Sequence, residues 1–244
     1  MTRRSPTGAE RGAEKPRRAK ADVGPAGDRH DLTPSKAGAG SIPALVAVEL
    51  KAHAPFTMIG TLTGVAIMVA FALVDVPRGI SQSLFWGLHP LHVLLSAFAT
   101  TAMFRLHGRR SPFAALVVGY LGSVGVATLS DCIIPYLAES LLNLPNRGLH
   151  LGFIEKWWLV NPLAAAGILA GYAWPHTRLP HAGHVLLSTW ASLFHMIMAT
   201  EAGFGLLGYM AAAGFLFLAV WIPCCTSDIV FPLLFTKKES HGRS

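Results

Sequence analysis

The chain has 244 residues, of which 52% are hydrophobic and 14% charged, and its mean hydropathy of +0.46 already includes a very polar N-terminal stretch. That composition excludes an ordinary soluble domain and predicts an integral membrane protein, since each helix crossing a bilayer needs roughly 20 apolar residues. The net charge of +7 would suit nucleic acid, but the basic residues lie in tails and loops beside apolar runs, so the expected partner is the lipid bilayer and not nucleic acid.

Residues 1–40 carry Arg3, Arg4, Arg11, Lys15, Arg17, Arg18 and Lys20 among Gly, Pro and Ala, with almost no large apolar side chain. Such a segment buries no core and is expected to be a disordered tail, without the apolar stretch of a cleavable signal peptide. A short amphipathic lead over 42–53 precedes a first span at about 56–74. Further spans are predicted at about 84–104, 112–135, 157–174, 181–200 and 206–235, separated by polar breaks. The last is long for one straight crossing and contains Pro223, which predicts a kink. The three cysteines, Cys132, Cys224 and Cys225, form no disulfide framework, because two adjacent residues and one distant one staple little.

One stretch occurs twice. His89-Pro90-Leu91-His92-Val93-Leu94-Leu95-Ser96 returns as His181-Ala182-Gly183-His184-Val185-Leu186-Leu187-Ser188, and each copy leads through an apolar run to a Ser-Asp-x-x-x-Pro motif, Ser130-Asp131 to Pro135 and Ser227-Asp228 to Pro232. His, His, Ser, Ser-Asp and Pro recurring in one order mark an internal repeat. The expected fold is therefore all-α, with about six transmembrane helices in two three-helix repeats, 41–140 and 141–236, and a short tail at 237–244. With both termini cytoplasmic, 17 of the 20 Lys and Arg residues fall inside, which fits a multi-pass protein of the cell (plasma) membrane, the inner membrane of a bacterial cell. Three spans per repeat is an odd number, so the second repeat enters from the opposite side and the topology is inverted.

Two histidines three apart lie on one helix face, and a nearby carboxylate completes a set suited to a divalent ion, zinc, iron or manganese. His89, His92 and Asp131 are expected as one such cluster toward the outer side, with His181, His184 and Asp228 as its counterpart toward the inner side. Ionisable groups inside spans are costly and mark function. Glu155 at the outer start of span four, and Glu49 with His53 before span one, are placed to complete these sets; Cys224 and Cys225, which lack a counterpart in the first half, carry less weight as ligands. Ser96 and Ser188 share the histidine face, to orient a ring, bind substrate or pack against a neighbour. His107, His150 and His176 read as interfacial anchors.

No nucleophile elbow, phosphate loop, dinucleotide fingerprint or HExxH motif occurs. The reading is a transporter or permease for a divalent transition-metal ion, with paired His/Asp clusters serving alternating access. Its alternative is a membrane-embedded metalloenzyme acting on a lipid or quinone, in which both histidine pairs converge on one depth. A carrier of an anionic or lipid-linked substrate is disfavoured by the scarcity of Arg and Lys inside the spans. Six short spans enclose little volume, which makes a homodimer an expectation.

Overall fold

The computed structural model describes residues 42–106, 111–175, 178–200 and 204–227, and the regular structure among them is helical throughout. The expectations for the tails at 1–40 and 237–244 and for Asp228 lie outside the described residues, and of Glu49, His53, His181 and Cys225 only the backbone is described. The described helices are α1 Ile42–Val74, α2 Arg78–Leu106, α3 Pro112–Leu141, α4 Gly152–Glu155, α5 Trp157–Ala173, α6 Arg178–Met198 and α7 Leu206–Ser227.

Six of these helices fall on the six stretches expected from the sequence, and four of them, α1, α2, α3 and α7, are long and apolar enough to cross a membrane. The other two differ for separate reasons. Helix α5 has only 17 residues. Helix α6 has 21 but is polar, and its His184, Ser188, Thr189, Ser192 and His195 are all buried against protein. A helix enclosed by its neighbours can carry such residues, whereas one facing lipid cannot. Helices α1 and α7 show the opposite arrangement, with Phe56, Ile59 and Leu62 of the first and Leu206, Leu207 and Met210 of the second exposed.

Helices α2 and α6 form the central pair and run antiparallel. The ring of Phe85 lies 5.2 Å from that of His195, and the ring of His92 lies 5.7 Å from that of His184. Residue numbers thus rise along one helix as they fall along the other. A second short motif, absent from the reading above, holds the flanking helices to this pair. Pro55-x4-Gly60-x3-Gly64 in α1 returns as Pro162-x4-Gly167-x3-Gly171 in α5. Gly60 and Gly64 face Thr189 and Leu193 of α6, while a Cβ built at Gly167 or Gly171 would overlap the carbonyl oxygens of Leu94 and Phe98 of α2. Small residues at this spacing permit close helix approach without a side chain between the backbones.

Helix α3 extends to Leu141, past the expected end near Pro135, and it contains two π-helical turns, Leu121–Gly125 and Leu129–Ile133. The second has a local cause. Pro135 has no N–H to donate, and the N–H of Ile134 goes to Leu129 O, which leaves Ser130 O without a helical donor. Ser192 Oγ of α6 donates to it at 2.9 Å. The extra residue of a π-turn commonly accompanies a functional side chain, and here it surrounds Asp131.

Residues 75–77, 142–151, 199–200 and 204–205 gather at one end of the helices. Asn146 N donates to Ala199 O at 3.1 Å, and a cavity of about 390 Å³ is lined there by Asp75, Arg78, Asn146, Thr200 and Phe204. Asp75 and Asn143 close this end in the left-handed conformation, with φ of 53° and 52°, which short polar side chains tolerate. It is called the loop-rich end below.

Candidate metal centre

The second histidine of each repeated pair meets the other at one depth. His92 of α2 and His184 of α6 stack with an interplanar angle of 12°. His92 is the middle residue of α2, 14 residues from Arg78 and 14 from Leu106, so it stands about 21 Å along the helix from either end at 1.5 Å per residue. Cys224 of α7 reaches the same point. One ligand atom from each of His92, His184 and Cys224 lies within 4.8 Å of the others, and all three residues are buried. The thiol sulfur is 3.9 Å from His92 Nε2.

Asp131 buttresses this group from behind. Its Oδ2 accepts from His89 Nδ1 at 2.9 Å and from His92 Nδ1 at 2.7 Å. Its Oδ1 accepts from Ser130 Oγ at 2.7 Å and from Ser188 Oγ at 2.8 Å. Four hydrogen bonds satisfy a carboxylate with 0% exposure, which is the condition on which a buried charge persists. Because a carboxylate only accepts, both rings donate from Nδ1, and in its neutral form each keeps a lone pair at Nε2. His92 directs that lone pair toward Cys224. His89 turns its own toward Gly152, at the start of α4, where any side chain would collide with the ring. His89 is thus a clamp on Asp131, and His92 is the ligand.

Ser188 links the two halves of the site, donating to Asp131 and lying 3.4 Å from Cys224 Sγ, whose thiol proton it accepts. Ser96 is buried on the same face of α2, at the spacing expected of it. Glu155 belongs elsewhere. It is half-exposed at the loop-rich end, where it bonds Leu151 N and His150 Nδ1.

The arrangement therefore departs from two clusters on opposite sides: among the described residues His92, His184 and Cys224 form one shared centre, with Asp131 in a supporting position. The lower weight given to Cys224 is also corrected. One further buried pair escaped the sequence reading. His195 Nδ1 is 2.6 Å from Glu139 Oε1, each residue 1% exposed. Glu139 lies beyond the expected end of the third span near 135 and sits in the last turn of α3. The signal was present in α6, where His184, Ser188, Ser192 and His195 follow at spacings of 4, 4 and 3 on one helix face.

Two imidazoles and a thiolate with a carboxylate behind one ring form a set that binds zinc well, and the carboxylate fixes the tautomer and raises the ring's basicity. A thiolate fits manganese poorly. The chain matches no family model, no curated protein and no solved structure.

Proposed function

We propose that the protein is a multi-pass membrane permease for a divalent transition-metal ion, zinc being the ion its ligands suit best, held by His92, His184 and Cys224. The observation that carries this reading is the buried convergence of one histidine from each repeated motif with a cysteine, at the middle of the central helix pair. A carrier built from inverted repeats binds its substrate near the bilayer midplane, where the repeats meet. The antiparallel α2 and α6 and the matched Pro-Gly-Gly motifs of α1 and α5 support two inverted three-helix repeats, 41–140 and 141–236, with six spans in the plasma membrane and both termini cytoplasmic. His181 and Asp228 are the repeat equivalents of His89 and Asp131 in the sequence.

Charge supports a divalent ion. Asp131 and a Cys224 thiolate together carry two negative charges, which a divalent cation neutralises in a site shielded from water. Three ligands leave one coordination position open, so that the ion can exchange. The bound ion supplies Lewis acidity as well, and the convergence of both motifs at one depth favours the second reading, a metalloenzyme acting on a lipid or quinone. Zinc flux into liposomes containing the purified protein tests the first reading. Flux should disappear in Cys224→Ala and His92→Ala. Stoichiometric metal that survives mild chelation, in vesicles that show no flux, would decide for the enzyme.

A further inference from the structure

A second ionisable site stands apart from the centre. His195 lies 11 residues beyond His184 on α6, about 16 Å along the helix axis at 1.5 Å per residue. Glu139 Oε1 accepts from its Nδ1, and Glu139 Oε2 accepts from Gly148 N at 3.2 Å. The ring nitrogen on the other side, His195 Nε2, is buried and has no hydrogen-bond partner among the described residues. Since the carboxylate only accepts, the neutral ring holds its proton on Nδ1 and presents a lone pair at Nε2. Buried polar atoms are nearly always satisfied, and an exception calls for a use.

The surroundings indicate that use. His150 stands with its ring 5.4 Å from that of His195, and it is 25% exposed with its partner Glu155 at 40%. These two residues lie between the buried pair and the loop-rich end, with His150 in ring contact with His195. On the other side Phe85, fully buried, stacks on His89 at 5.5 Å and meets His195 edge-on, which separates the pair from the metal centre by an apolar ring. The charged groups and histidines on the neighbouring elements are Arg78, His89, His92 and Arg105 on α2, Asp131 and Glu139 on α3, His150 and the exposed Arg147 in the connection after it, Glu155 in α4, and Lys156, whose ammonium lies 5.7 Å from the Trp86 ring. No third ligand atom joins His195 and Glu139 within metal-binding distance among the described residues.

We infer that the His195–Glu139 pair is a proton-binding site, filled from the loop-rich end through His150 and Glu155 and distinct from the metal centre. In the empty state the pair is a neutral imidazole and a carboxylate, with one net negative charge. A proton from water passes to His150 and then to His195 Nε2, and the pair becomes imidazolium and carboxylate with no net charge. No other bond forms or breaks. In the permease reading, on which this role rests, the pair carries the coupling ion that moves against the metal.

Nitrogen NMR of the full chain, labelled at histidine and held in detergent, tests the site without reference to transport. The His195 signal, identified by its loss in His195→Gln, should show both the Nδ1–H neutral form and the doubly protonated form over the pH range in which the protein stays folded, and His150→Ala should slow its exchange with water. A ring that keeps one form across that range overturns the inference. In proteoliposomes carrying a pH dye, a zinc gradient should drive proton counterflow in the wild type, and Glu139→Gln and His195→Gln should lose that counterflow while zinc still moves. Proton counterflow unchanged in both variants also overturns it. Vesicles that move no zinc at all refute the permease reading, and the NMR result then decides the proton site alone.

Discussion

Asp131 and Glu139 are both buried carboxylates of α3 that accept from histidine, yet their surroundings differ in kind. Asp131 receives two rings and two hydroxyls, and the free nitrogen of one ring is aimed at a cysteine. Glu139 receives one ring and one backbone N–H. The first arrangement brings several ligand atoms to one position, which suits a metal ion; the second leaves a single buried ring nitrogen without a partner among the described residues, which suits a proton. A buried carboxylate beside histidine is therefore not a sufficient signature of either chemistry. What the far nitrogen meets decides between them.

The comparison is broken most completely at the cysteine. Cys224→Ala should remove retained zinc altogether, read as metal content after gel filtration, and should leave the His195 resonance unchanged. Asp131→Asn comes next: losing a supporting carboxylate weakens zinc by about 10–100-fold, measurable by chelator competition, and undiminished affinity would remove Asp131 from the site. Glu139→Gln should leave zinc affinity unchanged but lower stability by about 1–3 kcal/mol, because His195 Nδ1 loses its charged acceptor in a buried position; a thermal melt in detergent reads this. The smallest effect belongs to Glu155→Gln, where both side chains of the His150 pair are partly exposed and a change of about 0–1 kcal/mol is expected. If zinc affinity followed Glu139 as closely as Asp131, the two carboxylates would belong to one site after all.

Much of this was legible in the sequence because repetition is a strong signal. The paired motifs singled out His92, His184 and Asp131, which the structure brings into one buried group, and the apolar runs located the helices to within a few residues at most ends. Depth was harder to read. Helix periodicity gives a face but not the tertiary packing that decides whether two faces meet, so two clusters were expected where His92 and His184 share one. Pro135 ends no helix: α3 passes through it after a π-turn around Asp131 and continues to Leu141, with Ser192 of another helix bonding the stranded carbonyl. Cys224 and His195 were undervalued for a common reason: each acts through a partner distant in sequence, and neither belongs to the repeat. The Pro-Gly-Gly motif could have been found by eye, but glycine and proline are frequent here and its meaning emerged only from the contacts it makes.

The stacked His92 and His184 have a consequence for how such a molecule could arise. Each half supplies one ring, so neither half alone holds the centre. On the proposed inverted-repeat reading, a chain of half this length would complete such a group only by pairing with a sister chain of opposite orientation. Cys224 has no equivalent in the first repeat, so the thiol is the asymmetric member of an otherwise paired set.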